Sequence, residues 1–396
     1  MISGTQRTDE SISTEPSQMG AVTPPRARRS ISPTGVQVIA ITIVAGLMFL
    51  VFTIFAPHFD SLSNIYTMAQ VSSYTFIVAA GLTFLFVAAE IDLSLGANLA
   101  FSGVIMGLCV TTYGLNPWIG ALCAVAAGLI IGLINGFVVT VVGVQSFIVT
   151  LGMLSVLGGA ALVITGGLPI DYPQNMKSSL ISITNGTIHG FPVPILWAAG
   201  VFLVCLFLLR FTKFGYHVYA VGGNPGAARE MGVNVRMVKL ICFMLTGGLC
   251  ALTAVLESNW LQEADPGAGS TFTLETIAAI IIGGVALYGG AGSIYGSLVG
   301  TIITGMLGTG LVLLGLNANW PELVEGVIII VVVTIGIGIN KRSWTGRRSR
   351  PVQILGMQAG GSTEPGRALA GFTRAGGSDG PDKAPAVQSG PPPAGR

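Results

Sequence analysis

"GGNPGAAREMGVN", residues 222–234, is a polar, glycine-marked insert between two long apolar stretches. Asn224 suits a helix cap, Pro225 a first helical turn, and Gly232 a helix end. The expected helix is about two turns long, too short to be stable alone in water. It must be held by the segments on either side, and those are oily.

The 396 residues are 51% hydrophobic and only 9% charged, where soluble domains carry roughly 25% charged residues. Lipid therefore surrounds most of the chain, and nucleic acid is not expected as a partner. A membrane helix needs roughly 20 mostly apolar residues. Runs at 36–56, 62–89, 93–112, 117–142, 146–166, 191–209, 238–256, 274–290, 292–316 and 321–339 qualify. The fold expected is all-α: a polytopic membrane protein of about ten transmembrane helices. The eighth run is short and broken by glycine at its end. About 35 polar residues precede the first run, so it reads as a retained anchor rather than a cleaved signal. Residues 1–35 are expected to be a disordered cytoplasmic segment and 36–340 the transmembrane domain. Residues 341–396, rich in Gly, Pro, Ser and Ala, are expected to be a disordered cytoplasmic tail.

Charge tests the count. All but Lys177 of the 19 Lys and Arg residues fall in three places: the amino-terminal segment, the loop after the sixth run (Arg210, Lys213, Arg229, Arg236, Lys239) and the tail from Lys341. Basic residues collect on the cytoplasmic side. Both termini and the 222–234 insert are therefore expected inside, with six helices before the insert and four after it.

Small residues recur every fourth position in the fourth run (Gly120, Ala124, Gly128, Gly132, Gly136) and in the ninth (Gly292, Gly296, Gly300, Thr304, Gly308). Such ladders let helix backbones approach closely in lipid. Each laddered helix is third in a block of four. The blocks start on opposite sides of the membrane, so two inverted four-helix repeats are expected.

Chemistry is sparse. There is no Walker A sequence, nucleophile elbow or zinc motif, so any ATP must be bound by another chain. The five cysteines lie in apolar runs as small core residues, and the three histidines are scattered, so no metal site is expected. Glu90 and Asp92 fall at the break between the second and third helices. They are candidates for gating or substrate contact, against a plainer role in which a carboxylate caps the third helix. Asn98, Asn135 and Gln145 are candidates to line a path, against ordinary interhelical hydrogen bonds. Glu275 is a sixth path or gating candidate, against a plainer role: like Glu322 and Glu325 it lies near a helix start, where an acid suits the dipole. No pair of acids sits at mid-membrane, which counts against a carrier driven alone by protons or sodium.

"YAVGGNPGAAREMGVNVRMVK" (219–239) resembles the cytoplasmic loop of permease subunits in ribose- and xylose-type ABC importers. "EIDLSLGANLAFSGVIMG" (90–107), "QSFIVTLGMLSVLGGAALVITGG" (145–167) and "ETIAAIIIGGVALYGGAGSIYGSLVGTIITGMLGTGL" (275–311) are similar to further segments of that family, in order. The second is usually written with GGIDLS, and this chain has Ala89-Glu90 in place of the two glycines. The resemblance implies a monosaccharide importer of the bacterial inner membrane with no catalytic residues or cofactor of its own. It implies a second permease copy (homodimer or close paralogue), a cytoplasmic ABC ATPase that binds ATP and Mg, and an extracytoplasmic sugar-binding protein. It makes Asn224, Pro225, Gly226, Ala227, Ala228, Arg229, Glu230, Met231 and Gly232 the ATPase-coupling helix. Related permeases carry branched-chain amino acids or nucleosides, and a stand-alone secondary carrier is the alternative of different class.

Overall fold

Helix α2 (Leu62–Val87) is enclosed by the rest of the chain: every residue from Ser72 to Ala88 is buried. Its sequence is apolar or small on all sides, the pattern of a helix surrounded by other helices. The computed structural model describes residues 33–173, 179–317 and 319–345. Around α2 run α1 (Pro33–Phe55), α3 (Leu95–Gly107, with a π-type turn to Thr112), α4 (Pro117–Phe137, likewise to Val142) and α5 (Ser146–Thr165). Then come α6 (Ser179–Asn185), α7 (Val193–Phe211), α8 (Lys213–Gly223), α9 (Pro225–Glu230) and α10 (Val235–Leu261). The last are α11 (Phe272–Ile282), α12 (Ile294–Leu313) and α13 (Trp320–Thr345). Among the described residues, sheet is limited to two-residue strands: β1 (Ile170–Asp171) pairs antiparallel with β4 (Glu263–Ala264), and β2 (Thr187–Ile188) with β3 (Phe191–Pro192).

Among the described residues, eight helices are long and apolar enough to cross a membrane. All ten predicted runs contain a helix, but neither the eighth nor the tenth is among these eight, and the eighth is too short to span. Its helix, α11, has 11 residues. At 1.5 Å per residue this is about 16 Å, half of a ~30 Å hydrocarbon core. Glycine ends it. Gly284 takes φ +83°, Gly284 N donates to Ile281 O at 2.9 Å, and Val285 N donates to Ile280 O at 3.0 Å, which closes a Schellman turn. Residues 283–293 then form a loop, so Gly292 precedes α12 instead of belonging to its glycine ladder. Hydropathy had also passed over α8, although Thr212 caps it, accepting from Gly215 N at 3.3 Å, and Phe214, Val218 and Val221 give it one apolar face. The end segments 1–35 and 341–396 lie almost wholly outside the described residues, as does Lys177.

Packing follows the small residues. A Cβ on Gly128 would meet Ala251 Cβ and the Gly247 carbonyl; one on Gly132 would meet the Phe243 carbonyl and Met244 Cα; one on Gly136 would come within 3.2 Å of Leu240 Cα. These contacts seat α4 directly on the α10 backbone. Gly296 and Gly300 face Gly283 and the Ala279 carbonyl, which seats α12 on α11, while Gly308 meets nothing. Hydroxyls add polar contacts: Thr83 Oγ1 of α2 and Ser297 Oγ of α12 are 2.6 Å apart. Helix α4 lies along α10 as α12 lies along α2, and α3 packs on α4 and α10 as α11 packs on α12 and α2. The apolar stretches of α1 and α5 are only 6% and 17% buried, which leaves their outer faces to lipid or another chain.

Candidate functional site

Asn224 occupies the cap of α9, its Oδ1 accepting from Ala227 N at 3.1 Å. Pro225 fills the first position, and Gly232 takes φ +83° just past the end. The helix is anchored by Ala228, which is buried and whose carbonyl accepts from Val233 N at 3.0 Å. Gly226, Ala227, Arg229, Glu230 and Met231 are exposed. The result is a rigid, polar projection with one apolar root.

Behind α9 lies a junction built from backbone. Gly290 N donates to Val87 O at 2.9 Å, joining the 283–293 loop to the end of α2. Gly222, at the end of α8, sits against both: a Cβ there would meet the Val87 carbonyl and lie 2.7 Å from Gly290 N. Tyr219 Oη donates to Gly292 O at 2.7 Å. The segment leading into α9 therefore touches α2 and the α11–α12 loop with no side chain between them.

Next to this junction Glu90 forms an ion pair with Lys239 of α10. Ala89 before it has φ +61°, a conformation costing a residue with a Cβ about 1–2 kcal/mol. The Ala89-Glu90 departure from a glycine pair thus brings local strain and a cross-helix ion pair together. The two side chains are only 10% and 19% exposed. Breaking such a pair leaves a desolvated charge, whereas removing both partners does not. Lys239→Met is expected to destabilise the detergent-solubilised protein by about 1–3 kcal/mol, the cost of a buried polar group left without its partner, with the Glu90→Gln/Lys239→Met double variant largely recovered. Thermal melts of the four-member cycle measure the difference.

Asp92 and Asn135 meet at Ser94 where α3 begins, and Asn98, also buried, lies one turn further along α3. Asp92 Oδ1 accepts from Ser94 N at 2.8 Å and Ser94 Oγ at 2.6 Å, and Asn135 Nδ2 donates to Ser94 Oγ at 3.0 Å. Ser102 Oγ donates to Asn98 Oδ1 at 3.1 Å. Burial raises the Asp92 carboxyl above its ordinary range, opposed by these Ser94 bonds. The expectation that a carboxylate caps α3 is corrected: Ser94 holds the cap position, and Asp92 closes the turn ahead of it. The cluster's burial gives it no open path in this conformation. Gln145 is apart and exposed at the start of α5. Glu275 lies on α11, accepting from Thr75 Oγ1 at 3.0 Å. With Glu322 and Glu325 it lines a cavity of about 740 Å³ between α11, α12 and α13. The six path candidates are therefore spread over four places, not one site.

One constellation escaped the sequence reading. Residues 89–96 and 262–269 share the pattern Glu-x-Asp-x-x-x-Gly at one constant offset. Ala89 and Gln262, just before each Glu, both take positive φ (+61° and +59°). Asp92 bonds Ser94 N, and Asp265 bonds Gly267 N, each at 2.8 Å. Gly96 and Gly269 meet, each facing the other's carbonyl. The same offset relates Ser61 to Asn234, the caps of α2 and α10. The signal was legible as a spaced Glu, Asp and Gly, but only the paired backbone conformations make it more than coincidence.

A bundle of membrane-length helices that presents a short capped helix defines an all-α polytopic membrane protein. The chain belongs to the family described as "Branched-chain amino acid transport system / permease component", whose model matches residues 64–333. It is similar to Ribose import permease protein RbsC of Escherichia coli (strain K12), at 35% identity over 282 residues, covering 71% of this chain and 87% of that protein. It is also similar to Fructose import permease protein FrcC of Rhizobium meliloti, at 35% over 276 residues (67% and 75% of the two chains). Xylose transport system permease protein XylH of Haemophilus influenzae (strain ATCC 51907 / DSM 11121 / KW20 / Rd) is 31% identical over 340 residues (71% and 91%).

Proposed function

We propose that this chain is the membrane-spanning subunit of an ATP-driven ABC importer for a monosaccharide, and that α9 is the helix on which the ATPase pushes. The observation that carries the coupling role is the junction of Gly222, Val87 and Gly290. A rigid projection joined backbone-to-backbone to α2 and to the α11–α12 loop can pass a displacement into both halves of the bundle. Sugar as cargo is supported by the ribose, fructose and xylose relatives. Branched-chain amino acids are the second reading, favoured by the description of the family model.

In this reading two copies form the pathway, a cytoplasmic ABC ATPase binds ATP and Mg, and an extracytoplasmic binding protein delivers the sugar. The protein sits in the bacterial inner membrane with both termini and α9 inside. α2–α5 and α10–α13 are inverted repeats, α11 being a half-length member of ten membrane-embedded helices. The mirrored packing of α4 on α10 and α12 on α2, and the matched 89–96 and 262–269 turns, support the repeat. Alternating access then follows from differential binding of the ATPase to two arrangements of the bundle.

The test is copurification from native membranes. An ATPase and a sugar-binding protein should accompany the wild-type chain, and an amino-acid-binding protein would select the second reading. Arg229→Glu reverses an exposed charge on α9. It should leave membrane insertion unchanged and weaken ATPase capture and uptake about tenfold or more. Unchanged capture and uptake would remove α9 from the coupling role.

A further inference from the structure

At the end of the bundle that carries α9, a cavity of about 750 Å³ opens between α1, α7, α8 and α12. It has two kinds of wall. Val38, Phe202 and Leu206 form an apolar lane on α1 and α7. Arg210, Tyr216 and Tyr295 gather at the helix ends, beside the first residues of α12. Tyr295 Oη is 3.4 Å from Thr42 Oγ1.

Arg210 is the last-turn cation of α7, and among the described residues it has no acidic partner. The reason lies in the sequence: α1, α7, α8, the 283–293 loop and α12 contain no Asp or Glu. No acid on these described elements faces this exposed guanidinium, which leaves it open to a phosphate. The start of α12 adds partial positive charge from its free amides. Tyrosines at this level match a membrane interface, where an apolar ring and a polar hydroxyl are both satisfied. A free phosphate ester would use the cation and leave the apolar lane empty. A zwitterionic lipid would use the lane and bring its own positive charge to Arg210. A lipid with net negative charge satisfies both walls.

We infer that this cavity binds an anionic phospholipid, its phosphate against Arg210 and the start of α12, and an acyl chain along Phe202 and Leu206. The site lies at the foot of α8, the helix that leads into α9, so its occupant borders the segment a docked ATPase would move.

The test is native mass spectrometry of the full-length chain in detergent, titrated separately with phosphatidylglycerol, with phosphatidylcholine of the same acyl chains, and with sn-glycerol 3-phosphate. Phosphatidylglycerol should bind at least fivefold more tightly than phosphatidylcholine, and Arg210→Gln should erase that preference. Glycerol 3-phosphate should neither bind comparably nor displace the lipid. Equal affinity for the two lipids overturns the proposal, as does an undiminished preference in Arg210→Gln. Full displacement by glycerol 3-phosphate makes the site one for a soluble phosphate ester and overturns the lipid assignment. If Arg210→Gln does not yield folded protein, Leu206→Trp fills the lane and keeps the charge. It should weaken phosphatidylglycerol at least fivefold, and unchanged affinity there overturns the proposal equally.

Discussion

Gly222→Ala is expected to reduce uptake to background, although it adds one carbon. That carbon would sit 2.7 Å from Gly290 N and closer still to the Val87 carbonyl. Both obstacles are backbone atoms, which cannot rotate aside as a side chain would, so α8 must part from α2 or from the 283–293 loop. Overpacking of this kind costs about 1–3 kcal/mol, and here the cost falls on the one place where the α9 segment meets both halves of the bundle. Gly223→Ala is the matched control: the next residue of the same helix has nothing within 4 Å of its added Cβ. Uptake in vesicles, with ATPase activity measured in parallel, should show Gly222→Ala hydrolysing ATP without transport and Gly223→Ala near wild type. Equal uptake by the two variants would mean that the junction is not the route of coupling.

Gly132→Leu is expected to have the larger effect on the fold itself. Its side chain would enter the α4–α10 seam at the Phe243 carbonyl and Met244 Cα. Lipid supplies no hydrophobic drive to hold two helices together, so their association rests on close van der Waals fit. Separating α4 from α10 forfeits that fit along the Gly128–Gly136 face and strips Gly247 of its partner. A loss of about 3 kcal/mol or more follows, visible as a lowered melting temperature and a poor yield of monodisperse protein. Gly46→Leu on the peripheral α1, where an added Cβ meets nothing within 4 Å, should be tolerated. A melt of Gly132→Leu indistinguishable from that of Gly46→Leu would deny the α4–α10 seam its role.

The candidate residues divide along the same line. The cap at Asn224, the first-turn proline and the terminating Gly232 of α9 are local features, and each could be read from its neighbours in sequence. Asp92 and Asn135 were picked out as unusual for a membrane run, yet their convergence on Ser94 joins the start of α3 to α4. Glu90 gave no hint of Lys239, 149 residues away. Gln145 and Glu275 carried the same polar signal as the other path candidates, because polarity marks a residue without saying where it goes.

The sequence by itself determined that the chain is a bundle of apolar helices, and located a helix within each of its ten runs, because hydropathy is a property each segment carries alone. The tertiary structure decided that α11 stops halfway, that Gly292 belongs to a loop, and that Gly96 meets Gly269. It also decided that Gly222 lies in the crease between α2 and the 283–293 loop. Those outcomes depend on which backbone a glycine faces, and the facing backbone lies in a distant segment that no local periodicity describes.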